Sequence, residues 1–259
     1  MTTGAEPPEP REVPIAPRVP PIVADSLETV RREVIACSRC PRLVRYRERV
    51  AREKKREFRH DDYWGRPVPG FGDPSARLVA VGLAPAAHGS NRTGRVFTGD
   101  RSAAFLVRAF HQAGYANQPT SVRRGDGLQY RDLYLTAALR CAPPDNHPMP
   151  SERGNCAPFL ERELRLLTET RAILALGGVA WDALRDVVPR VYGVERPSMA
   201  FAHGACVPLG AGRPLLWGSY HPSPQNTNTG KLTLPMLVDL LTRIRGAYDS
   251  AGTAPARHP

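Results

Sequence analysis

Cys37-Ser-Arg-Cys40 sets two thiols two residues apart, and Cys141 and Cys156 form a second, wider pair. Two such pairs can complete one four-sulfur metal centre. Tetrahedral zinc satisfies the same count, although the spread of the second pair does not suit a compact finger. A thioredoxin-like redox pair needs its C-x-x-C to open a helix after a strand, whereas Cys37 closes a predicted helix. Iron, zinc and free buried thiols therefore all stay open on spacing alone. Cys206 stands apart in an apolar stretch.

A second set of reactive side chains is scattered through polar, Gly- and Pro-rich segments: His88, Asp100, Asn146, His221 and Asn226. Three of these segments directly follow apolar runs of strand length, at 78–84, 133–138 and 215–218. A fourth run, 172–177, ends in Gly177-Gly178. Helical patterns over 101–113, 156–169, 179–188 and 232–247 separate the runs. Strands alternating with helices predict an α/β fold with a mainly parallel sheet covered on both faces. Ligands of such sheets bind beyond the carboxyl ends of the strands. The unusual residues thus converge on one sheet edge. Glycines are expected in any such loop, but these histidines, asparagines and this aspartate are not.

The first loop opens as Gly82-Leu-Ala-Pro-Ala-Ala-His-Gly89, whose small side chains let backbone N–H groups approach a flat or anionic ligand. Thr229-Gly230-Lys231 fails as a phosphate loop. Gln225 occupies the place of its first glycine and Leu232 that of its Ser/Thr, so an ATPase is excluded. Gly99-Asp100 before an apolar-periodic run also reads as a helix N-cap.

These loops need a scaffold, and 259 residues supply one large domain or two small ones. Net charge is +11 with only three lysines, at positions 54, 55 and 231. That excess points to a polyanionic partner such as nucleic acid, but the arginine, Ala and Pro bias also fits a GC-rich genome. Residues 42–59 hold nine basic and three acidic side chains, either a solvated helix face or a phosphate-facing surface. Asp25-Ser-Leu-Glu28 reads as a capping box for a helix running into Cys37. Residues 1–22 carry seven prolines and read as a disordered tail, and 250–259 as a flexible one. A single domain is expected over 23–249. No apolar run reaches membrane-spanning length, and the start lacks signal-peptide character. A reducing cytoplasm is expected, where five cysteines do not form a disulfide framework.

Four blocks in order, CSRCPRL, GLAPAAHGSNRTGRVFTGD, RCAPPDNHP and HPSPQNTNTGKLT, resemble the uracil-DNA glycosylase superfamily, and most closely its family 5, the UDGb type. The resemblance covers about residues 27–247. It implies a three-layer αβα fold with a mainly parallel four-stranded sheet. It also implies a structural [4Fe–4S] cluster on Cys37, Cys40, Cys141 and Cys156. The implied activity is base-excision repair: a damaged base is flipped from DNA and its N-glycosidic bond hydrolysed. Phe97 is implied to stack on the flipped uracil, and His221 to donate to the oxyanion developing on it. Gly82, Ala84, His88 and Asn226 fall where the base or its strand is bound. Other members carry a polar catalytic residue at the position of Ala84, and some an asparagine that reads uracil at that of Ala137. The first departure shifts water activation or cation stabilisation to Asp100, with Asn146 assisting. The second implies looser base selection, so other deaminated or oxidised bases join uracil as expected substrates. The loop 222–229, including Ser223, is implied to be the wedge or minor-groove contact, with Lys231 and loop arginines on phosphates.

No lysine but Lys231 occurs in these blocks, so a monofunctional enzyme without a Schiff-base step is expected. It is expected to act as a monomer on double- or single-stranded DNA, away from membranes, in a bacterial cytoplasm at the nucleoid. The rival reading is a non-catalytic iron–sulfur or zinc nucleic-acid-binding protein on the same scaffold.

Overall fold

The computed structural model describes residues 25–252. Its sheet is built on the four apolar runs: β2 (Leu78–Gly82), β3 (Leu133–Ala137), β4 (Ala172–Leu176) and β6 (Leu215–Ser219). These pair in parallel in the order β3-β2-β4-β6. The sheet has six strands, not four. Two short strands, β1 (Phe71–Gly72) and β5 (Cys206–Pro208), add antiparallel edges on β3 and β6. Each is too short to show an alternating pattern in sequence, and both cap edges that would otherwise expose unpaired backbone.

Period-two alternation decides the layers. Leu78, Ala80, Leu133, Leu135 and Leu174 face one way, onto α4 (Arg101–Gln112) and α8 (Leu234–Gly252). Val79, Val81, Tyr134, Ile173 and Leu216 face the other, onto α5 (Pro150–Leu166) and α6 (Gly178–Tyr192). Burying one such Val or Leu side chain contributes about 1.5–3 kcal/mol. Helix α5 starts earlier than its periodicity shows, because Pro150 opens it and Glu152 caps it by accepting from the Met149 N–H. α8 runs to Gly252, and residues 253–259 of the expected C-terminal tail lie outside the described residues. The expected tail over 1–22 lies outside the described residues.

At the other end of the chain α1 (Leu27–Ala36) leads into α2 (Pro41–Glu53). Its N-cap is Ser26, whose hydroxyl accepts from the Thr29 N–H, one residue beyond the expected box. Asp25 pairs instead with Arg162 of α5, which also binds Glu33. The charge-dense segment is amphipathic: α2 buries Leu43, Arg47 and Val50 and exposes most of its remaining charges. A short α3 (Ser90–Thr93) sits in the loop after β2, and α7 (Pro224–Asn228) in the loop after β6.

Candidate active site

Asp100 ends the first loop and caps α4, with its Oδ1 accepting from the Ala103 N–H at 2.9 Å. Its other oxygen lies against Gly89, where any side chain would collide with it. One carboxylate thus caps a helix with one oxygen and packs the second against Gly89 of its own loop. Burial raises its pKa above the ordinary carboxylate range, against the lowering pull of its backbone N–H donors and of Arg92.

Three residues earlier Phe97 adopts φ +45°, a left-handed conformation that costs a non-glycine residue of order 1–3 kcal/mol. The surroundings hold it there. The Ser121 hydroxyl donates to the Phe97 carbonyl at 3.1 Å, and a Cβ on Gly82 would sit 2.6 Å from the ring. Gly82 is therefore the floor under Phe97, leaving room for the ring. Phe97 is 8% exposed, and its ring centroid stands 6.2 Å from that of His221.

His221 follows β6 and is fixed mainly through its backbone. Asn226 donates from Nδ2 to the His221 carbonyl at 2.8 Å, and Ser223 caps α7 by accepting from the Asn226 N–H. The Cβ of His221 lies close over Gly177, whose φ of +101° and missing side chain permit that approach. Burial lowers the His221 pKa to about 4, so the imidazole is neutral at pH 7. Asn226 and Ser223 shape this loop through these two bonds. Lys231 is exposed, with its ammonium 4.9 Å from the Tyr220 ring centre.

Beside these loops opens a cavity of about 890 Å³ that His88, Asp100 and Asn146 share. Asn146 is exposed at φ +59° after Asp145 at φ +54°, in the turn Pro144–Asn146. The Tyr63 hydroxyl lies 2.9 Å from His88 Nδ1, and burial lowers the His88 pKa, with Lys55 and Arg92 adding to the effect. The far wall comes from a segment read only as charge-dense, through Lys55, Glu57 and Phe58. Arg92 staples that wall to the loop. Its guanidinium lies 3.8 Å over the Phe58 ring, pairs with Asp61, and donates to the His88 and Gly99 carbonyls. Phe58, the one aromatic among the basic residues of 52–59, was the available signal for this wall. Phe97, His221 and Gly82 do not line this cavity; they form a separate group at the same strand ends.

The uracil DNA glycosylase superfamily model matches residues 69–245, which takes in the loops after all four parallel strands. A type-5 uracil-DNA glycosylase from Thermus thermophilus is 53% identical over 206 residues, covering 80% of this chain and 91% of the relative. One from Mycobacterium bovis is 52% identical over 209 residues, 80% of this chain and 76% of the relative. One from Pyrobaculum aerophilum is 47% identical, with coverage of 81% and 88%. The chain belongs to the type-5 uracil-DNA glycosylases.

Within this uracil-DNA glycosylase fold, Ala84 is not among the residues that line the cavity. It packs beside Leu139, Cys141 and Cys156, with Cys40 in the same cluster. Cys37 caps α1 and Cys40 caps α2, while Cys141 follows β3 and Cys156 lies in α5. Arg47, 6% exposed, donates to the Cys141 sulfur at 3.0 Å, and Asn155 to that of Cys40 at 3.4 Å. Burial pushes the Cys141 thiol up to about 12 despite Arg47, and also raises Cys156. Cys141 feels the charges of Cys156 and Cys37, and Cys156 those of Cys40 and Cys37, so the thiols lie within electrostatic reach. As the side chains stand, no group of three or more His, Cys, Asp or Glu among the described residues could hold a metal ion. Cys206 lies away from this group, in β5. No helix among the described residues is long and apolar enough to cross a membrane.

Proposed function

We propose that this chain is a monofunctional DNA glycosylase of base-excision repair that hydrolyses the N-glycosidic bond of uracil in DNA. The observation that carries the reading is the Asp100 carboxylate, with one oxygen capping α4 and the other against Gly89, which lines the same cavity as Asp100. The bond breaks heterolytically: its electron pair leaves with the base and the sugar becomes an oxocarbenium ion. The ionised Asp100 stabilises that cation and orients the water that adds to it. Neutral His221 donates a hydrogen bond to the base oxygen where negative charge develops, and Phe97 stacks on the flipped ring. Asn146, on the opposite rim, contacts the base or the water.

Alanine at positions 84 and 137 leaves two places without a polar group that would reject other bases, so we extend the substrates to other deaminated or oxidised bases. We place the enzyme in a bacterial cytoplasm as a monomer acting on nucleoid DNA. We assign Cys37, Cys40, Cys141 and Cys156 to a [4Fe–4S] cluster. Two thiols receive donors from Arg47 and Asn155, and Cys40, Cys141 and Cys156 share one cluster. Bound there, the cluster supplies a cross-link among α1, α2, the exit of β3 and α5.

A uracil-containing oligonucleotide, incubated with the protein and then treated with alkali, tests the reading. Alkali-dependent breakage at the uracil, with no adduct trapped by borohydride, is expected. An intact strand supports instead the non-catalytic binding protein.

A further inference from the structure

Arg47 is the one charged residue that α2 buries, and it is 6% exposed. A guanidinium is always charged, and burying it is costly unless its donors are met. An amphipathic helix needs no such residue, so its partners matter. Nε donates to the Gly65 carbonyl at 3.2 Å, and Nη1 to the Cys141 sulfur at 3.0 Å. The Cys37 carbonyl lies at 3.5 Å, and the carboxylate paired with Arg47, that of the half-exposed Glu48, stands off at 3.8 Å. The shortest of these contacts is the one to sulfur.

The same residue reaches the loop that carries Asp100. Asn91 of α3, 1% exposed, donates from Nδ2 to the Arg47 carbonyl at 3.3 Å and to that of Ala87 at 3.4 Å. Gly65 closes a ring, because its N–H donates to the Asn91 carbonyl at 3.0 Å while its own carbonyl holds Arg47. Gly65 sits at φ +59°, and a Cβ there would lie 2.9 Å from that of Ala51, so glycine lets this segment lie against α2. From α3 the contacts continue to the carboxylate. Arg92 donates to the Gly99 carbonyl at 2.7 Å, the Thr93 hydroxyl donates to that of Thr98 at 3.3 Å, and Gly89 packs on the Asp100 carboxylate. Direct contacts therefore run from the Cys141 sulfur through Arg47, Gly65 and α3 to Asp100.

We infer that Arg47 is a positioning residue for the reaction: it holds Cys141 at one end and, through Gly65 and Asn91, sets the place of Asp100 at the other. This rests on the glycosylase reading above, and on no particular occupant of the cysteines. A residue that only stabilised the fold would lower the melting temperature and leave the rate of the folded protein alone. A residue on DNA would change affinity. Arg47 is buried, so its loss slows cleavage at unchanged affinity.

The test compares full-length wild type, Arg47→Met and Arg47→Lys, each shown folded by circular dichroism. Single-turnover cleavage of a uracil duplex at saturating protein should fall about 10–100-fold in Arg47→Met, the range found when a group that orients a ligand from behind is removed. The Kd for the duplex should stay within twofold, and Arg47→Lys, which restores one donor, should recover most of the rate. Asn91→Ala should slow cleavage too, and the double variant should be no slower than the slower single one, because both cut one path. Asn91→Ala carries the test alone if Arg47→Met does not fold. At the other end, iodoacetamide should alkylate Cys141 about tenfold faster in Arg47→Met, read by mass spectrometry after exposure to a chelator. A wild-type rate in the folded Arg47→Met protein, or additive losses in the double variant, would overturn the inference. Should the wild type cleave nothing, the glycosylase reading fails, and alkylation decides the link by itself. Bound uracil duplex should then slow labelling of Cys141 in wild type and not in Arg47→Met, and equal effects would overturn it.

Discussion

The carboxyl edge of the sheet and the cysteine end of the molecule are both built from loops and helix termini, yet they are held differently. At the edge each key residue has a partner in the chain: the Ala103 N–H on the Asp100 carboxylate, Gly82 under the Phe97 ring and Ser121 on its carbonyl, and Asn226 on the His221 carbonyl. At the cysteine end, α1, α2 and α5 meet around thiols that receive two donors and do not bond to one another. The nearest full set of partners there is the buried Glu163, which accepts from Arg140, Thr136 and Tyr134 and ties β3 to α5. One region is held by hydrogen bonds and packing within the chain; the other keeps two buried and two half-buried free thiols among its helices.

The comparison breaks most readily at Cys141. Replacing it by serine should cost the fold, not only a fraction of activity, because binding of a structural metal group is coupled to folding. Cys206→Ser should leave melting and visible colour as in wild type. A fully stable, colourless Cys141→Ser protein would remove the cluster from the account. Next in size is Glu163→Ala, which strands the buried Arg140. About 3–5 kcal/mol of unfolding free energy should be lost in urea titrations, and a loss under 1 kcal/mol would show that the strand–helix tie is not structural.

Smaller effects sharpen the edge. Asn226→Ala removes one hydrogen bond that positions His221, so kcat should fall about tenfold, the kinetic equivalent of about 1–1.5 kcal/mol. Its melting temperature should change little. Wild-type kcat would return Asn226 to loop packing. The His221 ring should titrate near pH 4 by NMR, since burial lowers its pKa to about 4. The sign follows: its contribution to stability is present above the ordinary imidazole range and is lost as pH falls through about 4. A midpoint near 6.5 would place the ring in solvent and argue against a desolvated donor.

The core of the fold was legible because burial on both faces leaves a strong mark. All four parallel strands begin at the residues their apolar runs mark. The edge strands were not, since two or three residues carry no period. Asp100 as a cap was legible from Gly-Asp before a periodic run, whereas the place of its second oxygen depends on Gly89 from a different part of the loop. Ala84 and Asn226 show the limit most clearly. Each sits in a recognisable motif, but the packing of Ala84 with the cluster around Cys141 and Cys156 and the bond of the Asn226 amide to the His221 carbonyl depend on residues far off in sequence or on the turn of α7. Arg47 was hidden for the same reason. Among the nine basic residues of 42–59, nothing local distinguishes the one that is buried against a thiol.

The central claim is that Asp100 serves the reaction as well as the helix. Asp100→Asn separates the two, because asparagine caps as well as aspartate. Burial raises the Asp100 pKa, so its ionised form is disfavoured in the folded state, and stability is lost as pH rises through that raised value. The neutral amide should therefore melt at or above the wild-type temperature at pH 7.5. Its single-turnover cleavage of a uracil duplex should fall by about 10²-fold or more. The wild-type rate should itself drop as pH falls through the raised pKa of Asp100, and that acid limb should vanish in the variant. An Asp100→Asn protein that cleaves uracil as fast as wild type would contradict the account and leave Asp100 a helix cap.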